Sequence, residues 1–442
     1  MKDTFTKIKM VAFSSMTVSI GIGALMVGWV TFFATDYLGL SAATVGILFM
    51  VSKVFDGFTD IIAGIIIDKT NTRWGKGRPY DLAQIGYWIT IVFMFVVPIM
   101  NINLTYAWIF IMYTLNNSVF QTLLSCSNPV YLANVVDRPE QSLIANSIVG
   151  VFSMVASTAG GIVIPQLAAN YGNSREGWGQ IAIMLAIPSL VIGLLRFFIV
   201  KERAINNGKV DKVSLKETVS VIFHNKYIVI VAIMILVSNA GYHMINSVTS
   251  YYCRYIIGDV GAASIMSLTM LSTVVSLIIT PSAAKKIGIA KFIRILTILS
   301  IITGLLRLIN PYSLPLMFVT GFLVTPGFLT SWLYLSTFII DCIDFGEWKS
   351  GIRREGSTTC LPSLCSKLGV ALGAGLVGVL MGASGYNGNL EIQSDSATRM
   401  LIAMFSIIPV IFSVIQYIAL RFYDLDAKLP TIREELTARK QN

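Results

Sequence analysis

The sequence predicts an all-α integral membrane protein with twelve transmembrane helices arranged in two six-helix halves. Three observations predict this fold class: 55% of the 442 residues are hydrophobic, only 13% are charged, and apolar runs recur along the whole chain. Soluble domains carry about 25% charged residues, and a helix needs about 20 apolar residues to cross a bilayer. The first partner that the composition implies is therefore the lipid bilayer.

The apolar runs, separated by polar breaks, give twelve predicted spans. Their approximate limits are 10–34, 43–67, 82–101, 105–127, 142–168, 180–200, 226–252, 261–283, 292–310, 314–340, 360–383 and 397–421. The longest polar stretch before the C-terminus follows the sixth span. We therefore predict four parts, in chain order: a bundle at 1–200, a central loop at 201–225, a bundle at 226–421 and a tail at 422–442.

Two of these spans need a separate justification. The first is too long for the apolar region of a signal peptide and lacks a small-residue cleavage site, so we expect it to be retained. The fourth is irregular because polar residues accumulate from Asn116 to Asn128, and Pro129 follows them. Its limits are the hardest to place from the pattern alone.

Basic residues sort to one face of the predicted membrane when successive loops are assigned to alternate sides. On this assignment, 26 basic residues fall on one face and only Arg175, Arg254 and Arg399 on the other. Cytoplasmic loops carry the excess of Lys and Arg, so we predict cytoplasmic termini in a multi-pass protein of the cell (inner or plasma) membrane. The net charge of +10 is then an orientation signal, and we expect no nucleic-acid partner.

The sequence offers little for catalysis or for a tightly bound metal. Its five cysteines form no CxxC pair, and His224 and His243 are isolated. It also lacks a nucleophile–base pair, a phosphate-cradling glycine loop and a large soluble domain. We therefore expect no enzyme activity and no cofactor, and a membrane enzyme or a sensor remains only as an alternative.

Ionisable residues inside the second span carry the strongest functional signal. Lys53, Asp56 and Asp60 are three and four residues apart, so a helix places them on one face, and Lys53 can pair with Asp56. One hypothesis is a structural ion pair that fixes helix packing. The other is a site for a monovalent cation or a proton, made by both carboxylates, with Thr59 and Thr122 as further oxygen ligands.

Two other spans also hold a basic residue. Lys367 lies in the eleventh span among glycines at 369, 373, 378 and 382, whose spacing allows close helix packing. A lysine there needs an anionic partner, for which Asp56 or Asp60 is the natural candidate. Arg307 lies near the end of the ninth span, where we expect its long side chain to reach the membrane interface.

Two segments resemble the glycoside–pentoside–hexuronide:cation symporter family of the major facilitator superfamily. They are FDGFTDIIAGIIIDKTNTRWGKGRPY and, much later, DCIDFGEWKSGIRREGSTTCLPSLCSKLG. The resemblance implies the major facilitator fold, a coupling Na⁺, Li⁺ or H⁺ on Asp56 and Asp60, and Lys367 close to that site. It also implies a cytoplasmic gate at the charged residues Asp68, Arg73, Lys76, Arg78, Asp344, Glu347, Arg353 and Glu355.

The chain departs from that family in the sugar pocket. Members of the melibiose type hold the sugar with charged residues that fall here near Ile20, at Leu124 or Ser125, and near Val149, and none of these is charged. We therefore do not expect melibiose as the substrate. Our candidates for contacts with another solute are Lys53, Gln121, Ser125, Asn146, Trp332 and Lys367.

These observations lead to a secondary active transporter that works by alternating access. The first hypothesis is cation-coupled symport of a sugar, a glycoside or a related small solute. The alternative is transport of a non-sugar or amphipathic, lipid-like solute on the same scaffold. We expect the protein to act as a monomer.

Overall fold

The computed structural model describes residues 6–136, 139–202, 225–351 and 355–441. Within these ranges the chain is helical and contains no β-strand, apart from one isolated bridge between Thr72 and Gly75. Three members of the predicted gate lie outside the described residues: Arg353 entirely, and Asp68 and Glu355 in their side chains.

The first eight α-helices occupy the residues before the predicted central loop. In order they are α1 (Lys7–Gly28), α2 (Val30–Asp36), α3 (Ala42–Lys69), α4 (Ala83–Phe95), α5 (Ile102–Thr114), α6 (Thr122–Val135), α7 (Pro139–Tyr171) and α8 (Arg175–Ile199). A 3₁₀ turn (Arg78–Leu82) precedes α4, and a π-helical segment (Leu115–Gln121) joins α5 to α6.

Ten further α-helices follow. They are α9 (Lys226–Tyr252), α10 (Ala262–Ser267), α11 (Leu271–Ile287), α12 (Ile289–Leu306), α13 (Leu314–Leu333), α14 (Leu335–Ser350), α15 (Glu355–Ala383), α16 (Asp395–Phe405), α17 (Ile407–Arg421) and α18 (Leu425–Gln441). A π-helical segment (Cys253–Ile257) follows α9, and a 3₁₀ turn (Leu268–Met270) separates α10 from α11.

Nine helical segments in the described part of the chain are long and apolar enough to cross a membrane. Three other predicted spans correspond to helices that differ from this pattern for visible reasons. Helix α3 carries Lys53, Asp56 and Asp60, α4 has only 13 residues, and α5 and α6 are separated by the π-helical segment. The interruption of the fourth span coincides with the polar run that begins at Asn116.

The chain forms two compact units. Unit 1 comprises the described residues of 1–208 together with 253–267 and 378–394, and unit 2 comprises those of 209–252, 268–377 and 395–442. Unit 1 therefore includes two segments from the second half of the sequence. The boundaries that we predicted at 200 and 226 remain a prediction.

Glycines on α15 lie where helices approach most closely. In unit 2, Gly369 and Gly373 pack against the backbone carbonyl groups of Leu236 and Ala240 on α9. In unit 1, Gly382 packs against the start of α3, where an added Cβ would lie 2.5 Å from the Cβ of Ala43. The four-residue glycine spacing therefore serves helix packing, as small residues do in other membrane proteins.

The structure contradicts our expectation for Arg307. Its side chain is 1% exposed within unit 2 instead of reaching an interface. It donates hydrogen bonds to Thr320 Oγ1 (3.2 Å) and to the carbonyl oxygen of Phe405 (2.6 Å), and it lies 4.5 Å from the centre of the Phe405 ring. The break between α16 and α17 exposes that carbonyl group, and the guanidinium group satisfies it.

In unit 1, α1 packs against both α7 and α8. At Gly193 on α8, an added Cβ would overlap Gln84 Oε1 of α4 and lie 2.7 Å from Ser19 Cβ of α1. A Cβ at Gly150 on α7 would meet no atom within 4 Å. Alanine substitutions at the two positions therefore distinguish the effect of close packing on stability from the effect of helix propensity.

We expect Gly193→Ala to destabilise the protein by about 1–3 kcal/mol, because the new methyl group forces Gln84 and Ser19 apart. Gly150→Ala should leave the melting temperature unchanged or raise it, because alanine favours the helix. Thermal unfolding of both variants in the same detergent measures the difference. Equal melting temperatures for the two variants would contradict the packing shown for α8.

Candidate functional site: a carboxylate network within α3 and the fourth span

The site is centred on an ion pair within α3. Lys53 Nζ lies 2.9 Å from Asp56 Oδ2, which confirms the ion pair predicted from their spacing. The same ammonium group donates a second hydrogen bond, also 2.9 Å long, to Asn117 Oδ1. Asp56 is 8% exposed, so its carboxylate depends on protein groups for its partners.

The π-helical segment between α5 and α6 supplies those partners. Ser118 donates a hydrogen bond to Asp56 Oδ1, and Asn117 in the same segment accepts from Lys53. The Asn117 amide nitrogen donates in turn to the carbonyl oxygen of Tyr113, at 3.0 Å. π-Helical turns are frequent at functional sites because the added residue re-aims neighbouring side chains.

The surrounding side chains hold this network in place. Thr114 Oγ1 donates to Ser52 Oγ at 3.0 Å, which ties the end of α5 to α3 beside Lys53. The ring of Tyr113 lies 5.7 Å from Lys53 Nζ and stacks on Phe49 at 3.9 Å. The ammonium group therefore lies against an aromatic ring as well as against Asp56, an arrangement that favours a cation.

Two predicted ligands, Thr59 and Thr122, bond locally. Thr59 Oγ1 donates to the carbonyl oxygens of Phe55 and Asp56 (3.2 Å each), and Thr122 Oγ1 donates to that of Asn117 (3.2 Å). A hydroxyl group that donates keeps lone pairs that can accept or ligate. Asp60 is half-buried and also has an interaction partner in the structure.

This arrangement brings together oxygen atoms that suit a monovalent cation or a proton. Asp56 supplies a carboxylate, and Asn117 and Ser118 supply an amide oxygen and a hydroxyl oxygen. The Lys53 ammonium group already provides one positive charge beside this carboxylate. Among the described residues there is no group of three or more His, Cys, Asp or Glu that could hold a multivalent metal.

The predicted substrate residues are divided between the two units. Unit 1 contains Lys53, Gln121, Ser125 and Asn146, and of these Ser125 and Asn146 are exposed. Unit 2 contains Trp332, which is 53% exposed, and Lys367, which is half-buried on α15 and has an interaction partner. Their roles in substrate binding, and that of Lys367 beside the cation, remain predictions.

The predicted gating loop of unit 1 is bound to a residue that the sequence did not single out. Glu202 accepts hydrogen bonds from the backbone nitrogen of Gly77 (2.8 Å), from that of Arg78 (2.7 Å) and from the side chain of Asn134 (2.6 Å). Arg78 Nε also donates to the carbonyl oxygen of Phe197, at 2.9 Å. The loop is therefore fixed at both its backbone and its side chains.

The other two basic residues of that loop behave differently. Arg73 is exposed, and its guanidinium carbon lies 5.1 Å from the centre of the Trp74 ring. Lys76 is half-buried and has an interaction partner. Neither observation tests a gating role, which stays a prediction.

A buried ion pair beside this loop also escaped the sequence analysis. Arg196 Nε lies 3.0 Å from both carboxylate oxygens of Asp81, and Arg196 Nη1 donates to Asn128 Oδ1 at 2.5 Å. Both charged side chains are 0% exposed. The pair joins the end of α8 to the 3₁₀ turn. In the sequence, the only indication of it was one uncompensated charge at an end of each of the two spans, Asp81 at the third and Arg196 at the sixth.

In unit 2, the C-terminal helix α18 pairs with the other predicted gating cluster. Arg433 Nε lies 2.9 Å from Asp344 Oδ2, and its Nη2 lies 3.0 Å from Asp341 Oδ1. Trp348 Nε1 donates to Glu435 at 2.6 Å. The resemblance implied a gating role for Asp344 and Glu347, but the sequence did not indicate that Arg433 of α18 pairs with Asp344. Glu347 is buried and has an interaction partner.

Comparison with known proteins gives a consistent result. A family model described as MFS/sugar transport protein matches residues 11–427. The chain is 28% identical to an isoprimeverose transporter of Lactiplantibacillus pentosus, over 93% of this chain and 87% of that protein. It is 23% identical to a putative glycoside/cation symporter, YagG, of Escherichia coli (strain K12), over 92% of this chain and 89% of that protein.

A solved structure shares the fold. The crystal structure of a bacterial homologue of the human lysosomal transporter Spinster aligns with a TM-score of 0.69 and 14% identity, over 96% of this chain and 99% of that one. The predictions of an all-α membrane transporter with the major facilitator fold, and of a transporter in place of an enzyme, are confirmed. The relatives named here do not favour the lipid-like solute.

The Arg433 contact leads to a prediction about pH. Burial raises the pKa of the Asp341 carboxyl from 3.8 to about 7, and the nearby Arg433 guanidinium acts in the opposite direction. An acid with a raised pKa binds its proton more tightly in the folded protein. The free energy of unfolding therefore falls as the pH rises from about 4 to about 7, and this contribution is constant above that range.

Asp341→Asn removes that titration. We expect the melting temperature of the variant, measured relative to that of the unmodified protein, to rise between pH 4 and pH 7 and then to level off. Thr431→Ala, at an exposed position of α18 and without an ionisable group, is the control and should show a constant difference. A constant difference for Asp341→Asn as well would show that the carboxyl group does not titrate in this range.

Proposed function

Because the chain belongs to the MFS/sugar transport protein family, we propose that it moves a neutral sugar or glycoside across the membrane together with a monovalent cation. The observation that carries the coupling proposal is the buried Asp56 carboxylate, held by Lys53 and Ser118 in α3, the second predicted span. An ionisable group at such a position is costly, and such groups commonly mark ion pathways.

The coupling ion is Na⁺, Li⁺ or H⁺, and Asp56 and Asp60 are its principal ligands. The Thr59 hydroxyl group on α3 and the Thr122 hydroxyl group on α6 keep lone pairs and serve as further ligands. Two carboxylates one helical turn apart repel each other when both are ionised. Binding of a cation or a proton relieves that repulsion, so occupancy of the site and protonation of the pair are coupled.

Lys53 acts in this proposal as an internal counter-cation. Its ammonium group neutralises Asp56 while no coupling ion is bound, and it has a second acceptor in Asn117. An incoming ion competes with the ammonium group for the same carboxylate oxygen. Displacement of Lys53 then leaves its donors available for a solute hydroxyl group.

The solute is neutral and carries hydroxyl groups. Relatives are named as an isoprimeverose transporter and a glycoside/cation symporter. The positions at which melibiose-type members hold their sugar are uncharged here, so contacts fall to the amides, hydroxyl groups and aromatic ring of Gln121, Ser125, Asn146 and Trp332, with Lys53 and Lys367 as further donors.

Transport proceeds by alternating access in the cell membrane, with both termini in the cytoplasm and the protein acting as a monomer. The loops around Arg78 and Asp344 form the cytoplasmic gate, and their ion pairs break and reform between states. Residues 1–200 and 226–421 are the two bundles that exchange access, and 201–225 connects them. The hydrogen bonds that Glu202 accepts and the ion pair of Arg433 with Asp344 support this assignment, because they hold the gate loops in a defined position.

Proteoliposomes test the coupling directly. With an inward Na⁺ or H⁺ gradient, we expect accumulation of isoprimeverose or a related glycoside, and we expect Asp56→Asn and Asp60→Asn to reduce it at least tenfold. Asp395→Asn, at an exposed position, should retain full accumulation. Cation-coupled symport is refuted if both substitutions in α3 leave gradient-driven accumulation intact, whereas uptake of a lysolipid but of no sugar would favour the alternative solute.

Ser118→Ala tests the π-helical segment. The substitution removes the hydroxyl group that donates to Asp56, and we expect the cation concentration for half-maximal uptake to change at least threefold while the maximal rate is largely retained. Ser282→Ala, at an exposed position on α11 with no role in the proposed sites, is the matched control. If the two variants have the same cation dependence, Ser118 is not part of the ion site.

A further inference from the structure

Unit 1 contains a cavity of about 300 Å³ that is separate from the Asp56 site. It lies where the end of α2, the end of α7, the start of α8 and the turn at Gly258–Val260 meet. The lining residues used in the argument are Phe32, Tyr37, Asn173, Trp178, Arg254 and Asp259. Its volume is at the lower end of the range of small-molecule sites, roughly 300–1,000 Å³.

The cavity and the loop that Glu202 binds, at Gly77 and Arg78, lie at opposite ends of α8. Trp178 is near the start of this helix and Phe197 near its end. Nineteen residues of helix separate them, which corresponds to about 28 Å at 1.5 Å per residue. By the predicted orientation the cavity faces the outside, where Arg254 is one of the few basic residues.

Aromatic rings form one wall. The ring of Trp178 lies 5.8 Å from that of Tyr37 and 6.1 Å from that of Phe32. Trp178 is fully buried, and its Nε1–H has no hydrogen-bond partner within the described ranges. Because this nitrogen has no accessible surface, Trp178 contributes packing to the wall, and the polar contacts come from other lining residues.

The basic residue of the cavity lining, Arg254, is already paired. Arg254 Nη1 donates to Tyr37 Oη at 2.9 Å and lies 3.7 Å from Asp36 Oδ1. Asp36 is held in turn by the hydroxyl groups of Tyr255 (2.5 Å) and Tyr386 (2.7 Å). The guanidinium group is therefore fixed and neutralised.

A second carboxylate, Asp259, also lines the cavity and accepts from the backbone nitrogen of Gly261 at 2.7 Å. Because Asp36 already compensates Arg254, this group makes the surroundings unfavourable for an anion. Guanidinium and amide donors remain beside carboxylate and amide acceptors. That mixture, together with an aromatic wall, matches a neutral molecule rich in hydroxyl groups.

We propose that this cavity is a capture site that takes one ring of a neutral sugar before the solute reaches the region of Asp56. The inference rests on the proposed function for the nature of the solute. It adds a second binding position, at the other end of α8 from the gate loop. Occupancy of this position concentrates solute at the protein and leaves the later steps of transport unchanged.

Cysteine labelling tests occupancy without transport. Asn173→Cys places a thiol at an exposed position of the cavity lining, and Glu176→Cys places one nearby, outside the lining. In detergent-solubilised protein, the rate of maleimide labelling at each position is followed by peptide mass spectrometry. We expect isoprimeverose to slow labelling at position 173 at least threefold, with no effect at position 176, and a glucuronide to have no effect at either.

Equal rates with and without isoprimeverose at position 173 would overturn the capture site. Protection at both positions would also overturn it, because such a pattern reports a global change of conformation. Protection at position 173 by the glucuronide but not by isoprimeverose would overturn the assignment of a neutral ligand.

Uptake kinetics give a second, independent test. We expect Asn173→Ala and Arg254→Gln to raise the KM for the sugar about three- to tenfold while the maximal rate stays within twofold. Glu176→Gln, nearby but outside the lining, is the matched control and should leave KM unchanged.

The two proposals fail in different ways. Absence of sugar uptake by the unmodified protein would contradict the proposed function. Normal sugar uptake combined with unchanged KM in both cavity variants would contradict the capture site alone.

Discussion

A charge inside a hydrocarbon layer has to find its partners within the protein, and this constraint organises the structure. Asp56 is held by Lys53 and Ser118, and Arg196 is held by Asp81. Arg307 has no carboxylate partner among its described contacts and uses a hydroxyl group and the backbone carbonyl oxygen of Phe405. Each arrangement avoids the cost of an uncompensated buried charge, which amounts to several kcal/mol.

These three solutions differ in what they permit. The pair of Arg196 and Asp81 has multiple contacts and is fully buried, so its separation would leave two charges without water. The ammonium group of Lys53 makes single contacts with two acceptors. A compact ammonium group on a flexible chain can move to another acceptor more readily than a guanidinium fork. The structure therefore combines a rigid pair near the proposed gate loop with a more easily exchanged pair at the proposed ion site.

The sequence predicted those features that depend on local spacing. The positions of Lys53 and Asp56 three residues apart sufficed for their ion pair, and repeated apolar runs sufficed for the helices. The partners that escaped are distant in the chain: Ser118 is 62 residues from Asp56, and Arg196 is 115 residues from Asp81. Helical periodicity indicates which residues share a face, but it does not indicate which face of another helix lies opposite.

The irregular fourth span shows the same limit more sharply. The polar run from Asn116 signalled an interruption, but the type of interruption could not be derived from composition. The structure shows a π-helical segment, and Asn117 and Ser118 lie in it. The prediction for Arg307 failed for a related reason. The break between α16 and α17, which provides its acceptor, leaves no clear mark in an apolar sequence.

The π-helical segment also changes how this span must be compared with its relatives. One extra residue in a turn advances the helix by about 100°, so residues before Leu115 and after Gln121 follow different helical phases. A single helical wheel drawn from Ile102 to Val135 therefore assigns the wrong face to one of the two pieces. An ungapped count places the family's sugar-binding position at either Leu124 or Ser125, one buried and one exposed. The span has to be aligned as two separate helices before a side chain in it can be matched to a pocket.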